Sequence, residues 1–220
     1  TGVGVRLAQA LLESSEVEAR STLATAGFAQ LGELAYLRAP MPRPTRRPLP
    51  PPPPGITVRA FGDVPAHERE TALLRALELS YEGTLDCPEL SGLRTPAEVL
   101  ESHRSVGDYD PSFWWIAYDT SGPSGCLLLT PCPELESLEL VYLGLGPSLR
   151  GKGVATALLS RGVASVAERR VRGLRSVTCA VDTRNAPALR LYAKHGFERV
   201  GVRLPMVKGL GMASASAASG

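Results

Sequence analysis

The sequence has few cysteines and no pairing pattern among them. Its 220 residues include Cys87, Cys126, Cys132 and Cys179, and none of these forms a Cys-x-x-Cys pair or adjoins a histidine cluster. A zinc site needs such a ligand set, so we predict no metal centre. Thiols in apolar runs and the lack of a signal peptide favour a cytoplasmic location, although a chain that begins at Thr1 leaves its native start open.

A strong charge excess and a long apolar run are also absent. The 24 Lys and Arg residues nearly balance the 22 Asp and Glu residues, which leaves a net charge of +2. Neither nucleic acid nor a membrane is therefore expected as a partner, and no apolar run reaches the length of about 20 residues that spans a bilayer. With 44% hydrophobic and 21% charged residues, the composition is that of a folded domain with a real core.

Proline is concentrated in one segment, which divides the chain. Residues 40–54 read APMPRPTRRPLPPPP. Proline at this density fixes an extended backbone, so we interpret the segment as a semi-rigid linker, with a proline-rich recognition ligand as the alternative. The small, polar residues of 209–220 predict a disordered tail. These features divide the chain into residues 1–39, 40–54, 55–208 and 209–220.

After the linker, strand and helix patterns alternate, which predicts an α/β or α+β sheet with helices on its faces. The predicted strands are Ile56–Phe61, Phe113–Tyr118, Gly125–Thr130, Leu138–Leu145, Val177–Val181 and a final extended segment, Phe197–Val207. The predicted helices are His67–Glu82, a helix from the Thr95 cap to about Val106, Gly151–Arg170 and Asn185–His195, the last closed by Gly196.

A glycine-rich turn joins the fourth of these strands to the third helix. The sequence RGKGVA begins at Arg150. Free N–H groups in a first helical turn attract anions, and Gly151 and Gly153 would let a pyrophosphate approach the backbone, with Arg150 and Lys152 adding positive charge. A Walker loop is excluded because glycine follows Lys152, and a dinucleotide fingerprint lacks its ribose-binding acid. An ordinary glycine-rich helix start remains the plain alternative.

A second motif lies 30 residues further on. Residues 185–197 read NAPALRLYAKHGF and resemble the pattern Asn-x-x-Ala-x-x-Leu-Tyr-x-Lys-x-Gly-Phe of the GNAT acyltransferase superfamily. The upstream turn is similar to the Arg-x-x-Gly-x-Gly/Ala pyrophosphate signature of the same superfamily, through Arg150, Gly153 and Ala155. The resemblance implies a mixed, mostly antiparallel central sheet flanked by helices over residues 55–208.

The same resemblance implies an activity, a cosubstrate and a set of site residues. The activity is direct transfer of an acetyl group from acetyl-CoA to a small-molecule or peptide amine, without a metal. The implied cofactor-binding residues are Leu143, Gly144, Leu145, Arg150, Gly151, Lys152, Gly153, Val154, Ala155, Asn185 and Tyr192.

Two of the implied residues would move protons. Tyr192 would protonate the departing thiolate, with a core aromatic as the alternative. Glu139 would deprotonate the amine, with a solvated strand carboxylate or an ion-pair partner as the alternative.

The acceptor is expected near the segment SYEGTLDCPEL, which follows the first helix. Tyr81, Glu82 and Asp86 are candidates to hold a cationic amine, with a polar loop on the sheet edge as the alternative. Trp114 and Trp115 should point to opposite faces of one strand, which places one in the core and makes the other a candidate for the acceptor site.

The N-terminal segment resembles a reduced copy of the same machinery. Residues 1–12 are similar to Arg150–Leu159, and Gly27, Phe28 and Gly32 match Gly196, Phe197 and Gly201. The spacing indicates that the intervening strand is missing, and Leu23 stands where Tyr192 stands. We therefore expect the tail of a preceding, inactive repeat, as in tandem acyltransferases. Two amphipathic segments with chance similarity are the alternative.

Two other functions stay open from the sequence. One is a coenzyme A-binding regulatory or scaffold domain without turnover, and the other is a nucleotide-binding module. Retention of both motifs together with Tyr192 favours the enzyme.

Overall fold

A computed structural model of the protein describes residues 7–44, 49, 51–90 and 92–210. Its strands are β1 (Leu7–Glu13), β2 (Ala29–Gln30), β3 (Leu34–Pro40), β4 (Thr57–Ala60), β5 (Trp114–Asp119), β6 (Gly122–Cys132), β7 (Ser137–Leu145), β8 (Ser176–Asp182) and β9 (Glu198–Gly209). Its α-helices are α1 (Val17–Thr25), α2 (Arg69–Tyr81), α3 (Pro96–Arg104), α4 (Val154–Glu168) and α5 (Ala186–Lys194). Part of the predicted linker, residues 45–48 and 50, and residues 211–220 of the predicted tail lie outside the described residues.

The strands form a single mixed sheet, as predicted. Its order is β1-β9-β3-β8-β7-β6-β5-β4, with β2 pairing β9 off this path. Among the described strands every pairing is antiparallel except that of β7 with β8, which is parallel and short. It joins residues 137–139 to residues 176–178 and then stops. We call the unpaired remainder, residues 140–145 of β7 and 179–182 of β8, the β7–β8 gap.

Local signals fix the ends of the two best-predicted helices. The Thr95 side chain accepts a hydrogen bond from the Glu98 backbone N–H at 3.3 Å, and the Glu98 carboxylate accepts from the Thr95 N–H at 2.8 Å. This reciprocal capping box, with Pro96 behind it, starts α3. Asn185 caps α5 by accepting from the Ala188 N–H at 3.2 Å, and Gly196 follows the helix with a φ of +79°.

The sheet carries one main apolar core on each face, and a smaller cluster of Leu12, Leu204 and Met206 lies where β1 pairs with β9. The larger core packs α4 and α5 against strands β6, β7 and β8 through residues such as Leu127, Leu138 and Leu158. The second core packs α2 and α3 against β5 and β6 through Leu77, Leu100 and their neighbours. The site described below draws on both faces, because the β7–β8 gap lies between them.

The two tryptophans do point to opposite faces of β5, but neither lines an acceptor site. Trp114 is fully buried in the core under α2 and α3. Trp115 packs on the other face against the larger core, where the Cβ of any residue replacing Gly162 of α4 would lie 3.5 Å from its ring. The expectation of an acceptor role for one of them is wrong, because α4 covers the second ring.

The N-terminal segment differs from its sequence interpretation. Residues 7–12 were expected to resemble the start of α4, but Leu7–Glu13 is a strand that pairs antiparallel with β9. The strand that the sequence spacing left out is therefore present. The order strand, helix, glycine, strand occurs twice, first as β1, α1, Gly27 and β3, and again as β8, α5, Gly196 and β9. Gly27 has a φ of +85°, close to that of Gly196. Pairing with β9 decides the conformation of β1, since its own apolar spacing is ambiguous.

Strand β3 connects this segment to the rest of the molecule. It lies between β8 and β9 and pairs antiparallel with both, Leu34 standing opposite Asp182 on one side and Arg203 on the other. Its Ala35, Leu37 and Ala39 are buried in the larger core. The proline-rich segment therefore separates two stretches of sequence that share one sheet.

Candidate active site

The β7–β8 gap leaves one edge of β7 without a strand partner. Leu143, Gly144 and Leu145 pair with β6 on one side, opposite Leu127, Cys126 and Gly125. Their other side faces the gap, where β8 no longer pairs with β7. A register shift opposite residues 128 and 129 places Val141 as an extra residue in β7, and such a bulge re-aims the strand. Backbone donors and acceptors of β7 are thus available to a ligand in the gap.

The turn after β7 is the segment for which the sequence predicts a phosphate cradle. Gly151 and Gly153 have φ values of +71° and +80°, and a Cβ built on either would meet no atom within 4 Å. Helix α4 begins at Val154, three residues later than predicted, because the left-handed Gly153 serves as its N-cap. The first N–H groups of the helix, including those of Val154 and Ala155, have no intrahelical carbonyl to bond. Open space, two glycines and these donors fit a pyrophosphate.

The two basic residues of the turn have different surroundings. The Arg150 guanidinium donates to three backbone carbonyls, those of Leu145 at 2.9 Å, Ser80 at 3.1 Å and Gly83 at 3.3 Å. It therefore ties the end of α2 to the end of β7 and positions the turn, and bonds to neutral carbonyls leave its positive charge in place. Lys152 is exposed beside the glycines. Both predicted charges are therefore exposed in the turn.

Helix α5 places Tyr192 in the larger core, to which Cys179 of β8 also belongs. The side chain is 5% exposed, and its ring packs against Phe197 at a centroid distance of 5.3 Å. Burial raises the pKa of the phenol well above its usual range, and Cys179, Asp86 and Tyr142 act in the same direction. Those three neighbours come from β8, the loop after α2 and β7. The hydroxyl is therefore close to the gap and protonated at neutral pH.

Glu139 stands at the last paired position before the gap. It faces Thr178 of β8, whose hydroxyl donates a hydrogen bond to its carboxylate. Burial raises the pKa of Glu139, and the bond from Thr178 opposes that shift. Among the described residues Glu139 has no ion-pair partner. A half-buried carboxylate with a raised pKa is better suited to accept a proton than a solvated one.

A cavity of about 480 Å³ opens on the gap from the α2 and α3 side. It reaches the gap at Val141, Tyr142 and Ala180, and its apolar walls come from β1 and β9 as well as from the loop after α2. Of the three predicted acceptor residues, Tyr81 and Asp86 line this cavity. Glu82 is exposed and does not line it. The size suits a small molecule.

Asp86 is the predicted acceptor residue nearest to the gap. Its carboxylate accepts from the Asp182 N–H at 2.8 Å, and the Asn185 side chain also bonds to it. Burial raises the pKa of Asp86, and the neighbouring Asp182 adds to the shift against the hydrogen bonds that lower it. We call residues 82–90, which follow α2, the acceptor loop. Asn185 therefore bonds both to the first turn of α5 and to this loop, and its helix-cap pattern alone did not reveal the second bond.

Sequence reasoning missed the ion pairs that hold the acceptor loop. Arg184 pairs with Asp182 at 2.6 Å and with Glu89 of the loop at 2.6 Å, while the Cys87 N–H donates to Asp182 at 3.1 Å. Burial on its own would raise the pKa of Asp182, but the bonds from Arg184 and from the backbone lower it below the usual range. No motif marks these residues, since their partners lie about 95 positions apart in sequence.

Two searches of the described residues gave no further site. We found no group of three or more His, Cys, Asp or Glu side chains arranged to hold a metal ion. Nor did any helix in the described ranges combine the length and apolar composition of a membrane span.

Comparison with known proteins defines the class to which this fold and site belong. Residues 80–197 match the model of the Acetyltransferase (GNAT) family, and the chain is a member of that family. Proteins of this fold use acetyl-CoA as cosubstrate, which agrees with the cradle and the gap described above.

Among curated relatives, the mycothiol acetyltransferase of Salinispora arenicola is 32% identical over 177 residues, which covers 79% of this chain and 54% of that protein. The mycothiol acetyltransferase of Thermobispora bispora is 30% identical over 215 residues, which covers 90% of this chain and 68% of that protein. The chain spans about half the length of the first relatives it matches.

Solved structures agree on the fold. A GCN5-related N-acetyltransferase from Sphaerobacter thermophilus superposes with a TM-score of 0.63 at 25% identity, covering 92% of this chain and 59% of that one. A tandem GNAT protein from the clavulanic acid biosynthesis pathway gives a TM-score of 0.59 at 14% identity, covering 94% of this chain and 65% of that one. The likeness includes the N-terminal segment, because both superpositions extend over more than nine-tenths of the chain.

Proposed function

We propose that this protein transfers an acetyl group from acetyl-CoA to the amine of a small molecule by direct attack. One arrangement supports the proposal: the glycine turn follows the end of β7, the cavity reaches the β7–β8 gap at Tyr142 and Ala180, and Tyr192 lies near Cys179 and Tyr142. Membership of an acetyltransferase family and the mycothiol acetyltransferase relatives support acetyl transfer. None of the four cysteines lies in a nucleophile motif, and burial raises the pKa of each thiol, which favours direct attack over an acyl-enzyme.

Each part of the cosubstrate has candidate partners in this chain. Backbone groups of Leu143, Gly144 and Leu145 would hold the pantetheine arm along the free edge of β7. Packing requires a glycine at position 144, because a Cβ there would come within 2.5 Å of the Tyr142 ring. The turn at Gly151–Ala155 and the charge of Lys152 would hold the pyrophosphate. When bound, acetyl-CoA supplies an activated thioester.

Two groups would handle the protons of the reaction. Tyr192 keeps its proton at neutral pH and would donate it to the departing thiolate, since its hydroxyl lies beside the gap. Glu139 would take a proton from the acceptor ammonium, which its raised pKa favours over an ordinary carboxylate. Asp86 lines the cavity, so we assign the binding of the ammonium to Asp86, while Glu139 lies outside the cavity lining and would take the proton through an intervening water.

The names of the relatives suggest where to begin the search for the acceptor. The acceptor substrate of mycothiol acetyltransferases is the first candidate, because two such proteins match most of this chain at 30% identity or more. The cavity of about 480 Å³ favours a small molecule over a folded protein as the acceptor.

An acetyl-CoA consumption screen tests the proposal. The full chain is incubated with acetyl-CoA and pooled amines, including that candidate, and free thiol is measured. We expect amine-dependent thiol release with one pool and acetylation at nitrogen in its product. Tight acetyl-CoA binding without thiol release over a broad panel would instead support the coenzyme A-binding regulatory domain.

We also propose that residues 7–40 are the end of a repeat of the same kind. The order strand, helix, left-handed glycine, strand occurs twice in the described chain, and Leu23 occupies the position of Tyr192 in the second copy. This copy lacks the phenol, so we assign it no activity. Its role would be to complete the sheet, and a chain reduced to residues 55–208 tests that role, because it lacks β3.

A further inference from the structure

One wall of the cavity carries a positive charge without a counter-charge. Arg94 follows the acceptor loop, lines the cavity and is half-buried. Within the described part of the chain its guanidinium makes one hydrogen bond, a long one of 3.4 Å to the Ser102 hydroxyl of α3. In the described ranges no carboxylate lies within ion-pair distance of it. A guanidinium in this position has most of its five N–H donors left for a ligand.

Two buried polar atoms beside Arg94 also lack partners. They are the Tyr81 hydroxyl and the His103 Nε2, for which the described residues provide no hydrogen bond. Both side chains line the cavity. Tyr142 packs against His103 at 5.4 Å, but its hydroxyl is already bonded to Ser80 at 2.7 Å and does not satisfy them. Buried groups of this kind are rarely left unpaired, so their presence in a cavity wall points to a ligand.

Both of these groups are uncharged at neutral pH. Burial, and to a lesser extent the charge of Arg94, lowers the pKa of His103 to about 4. Burial raises the pKa of Tyr81 to about 12, with Cys126 adding to the shift and Arg94 opposing it. At neutral pH the wall therefore offers one cation, one phenol that can donate a hydrogen bond, and one neutral imidazole, which donates from Nε2 in the tautomer that carries its proton there.

We propose that Arg94, Tyr81 and His103 form an oxyanion subsite that binds a carboxylate or phosphate of the acceptor. The proposal rests on the proposed function and adds the class of acceptor to it. Asp86 is anchored to β8 and α5, whereas Arg94 is anchored to α3, so the two charges lie on different walls. A molecule with an amine and a separate oxyanion would match both walls at once.

Matched pairs of acceptors test this subsite. Amino carboxylates are compared with their amides, and amino phosphates with their alcohols, by kcat/KM for acetyl-CoA-dependent acetylation by the full chain. We expect the oxyanion member of at least one pair to be favoured by roughly tenfold or more, the usual strength of an Arg–oxyanion bond. The two sets of pairs distinguish carboxylate from phosphate.

Variants connect that preference to Arg94. Arg94→Gln should reduce it to about threefold or less, because the variant keeps the polar side chain but removes the charge. Arg172→Gln is the matched control, since Arg172 is exposed and does not line the cavity, and it should keep the preference. Amines that are acetylated equally well with and without the oxyanion would overturn this subsite alone, whereas no acetylation of any amine would overturn the proposed function.

A titration of His103 gives a measurement that does not depend on turnover. The protein has three histidines, so His103→Gln identifies the His103 imidazole signal in an NMR spectrum. His103 faces Arg94 and the Tyr142 ring, and an oxyanion bound between Arg94 and His103 should raise its pKa. The preferred amino oxyanion should therefore move the titration upward and its neutral partner should not. An equal titration with both ligands would contradict the subsite.

Discussion

Gly153 allows the phosphate cradle to be separated from the stability of the fold. A Cβ at position 153 would meet no protein atom within 4 Å, so it would enter the open space in front of the first N–H groups of α4. Replacement by alanine therefore blocks the approach of a pyrophosphate without displacing any neighbour. Its structural cost comes from the φ of +80°, which alanine adopts at a cost of about 1–2 kcal/mol.

Gly173 provides a matched control for that cost. It has a φ of +83°, it also has nothing within 4 Å of a Cβ, and it lies in the turn between α4 and β8. Gly173→Ala should lower the free energy of unfolding by the same amount as Gly153→Ala. For a chain of this size, either change should lower Tm by about 2–8 °C.

The two variants should differ only in cofactor affinity. Loss of one charge-assisted hydrogen bond to the pyrophosphate costs about 1.5–3 kcal/mol, which corresponds to a roughly ten- to hundredfold higher Kd for acetyl-CoA. Calorimetry on both variants below their melting transitions measures this difference. Equal Kd values for Gly153→Ala, Gly173→Ala and the parent protein would refute the phosphate cradle.

Three further predictions address the proton-handling residues and the sheet. Tyr192→Phe should lower kcat by roughly ten- to a thousandfold. Its Tm should stay nearly constant, because the ring still packs on Phe197. Normal turnover would remove the hydroxyl from the mechanism, and Tyr118→Phe is the control. Glu139→Gln should remove the acid limb of the rate profile. Because folding raises the pKa of Glu139, this residue stabilises the fold below the ordinary Glu pKa, and that contribution is lost as pH rises through the raised pKa. Glu139→Gln should therefore make the free energy of unfolding less dependent on pH across that window. An unchanged rate profile would place the base elsewhere. A chain reduced to residues 55–208 should fail to give a cooperative melting transition, since it lacks β3, and a stable, acetyl-CoA-binding fragment would show that β3 is dispensable.

Sequence patterns predicted the parts of the site that depend on local structure. The α5 helix, its Asn185 cap and its closing Gly196 were predicted almost to the residue, because caps and left-handed glycines are set by near neighbours. The start of α4 was predicted three residues early. Here the sequence pattern located the glycines, but only their backbone angles identify Gly153 as the N-cap.

The acceptor side could not be predicted to the same extent. Arg94 and His103 carry no motif, and their importance comes from a cavity whose other walls are β1 and β9, at the two ends of the chain. The expectation for Trp115 has the same weakness, since only the position of α4 shows that this helix packs against its ring. The strand β1 was misinterpreted because six or seven apolar-rich residues fit a helix or a strand until a partner strand is known.

The position of β3 has a consequence for how the chain reaches this fold. Residues 34–40 pair with residues 176–182 and 198–203, so the centre of the sheet closes a loop that contains most of the protein. Contacts of such high order are slow to form, because the entropy of closing the loop is lost before the pairing is gained. During synthesis the segment 34–40 leaves the ribosome long before either partner strand exists. We expect β4 to β7 to assemble first and the insertion of β3 to be the late, rate-limiting event of folding.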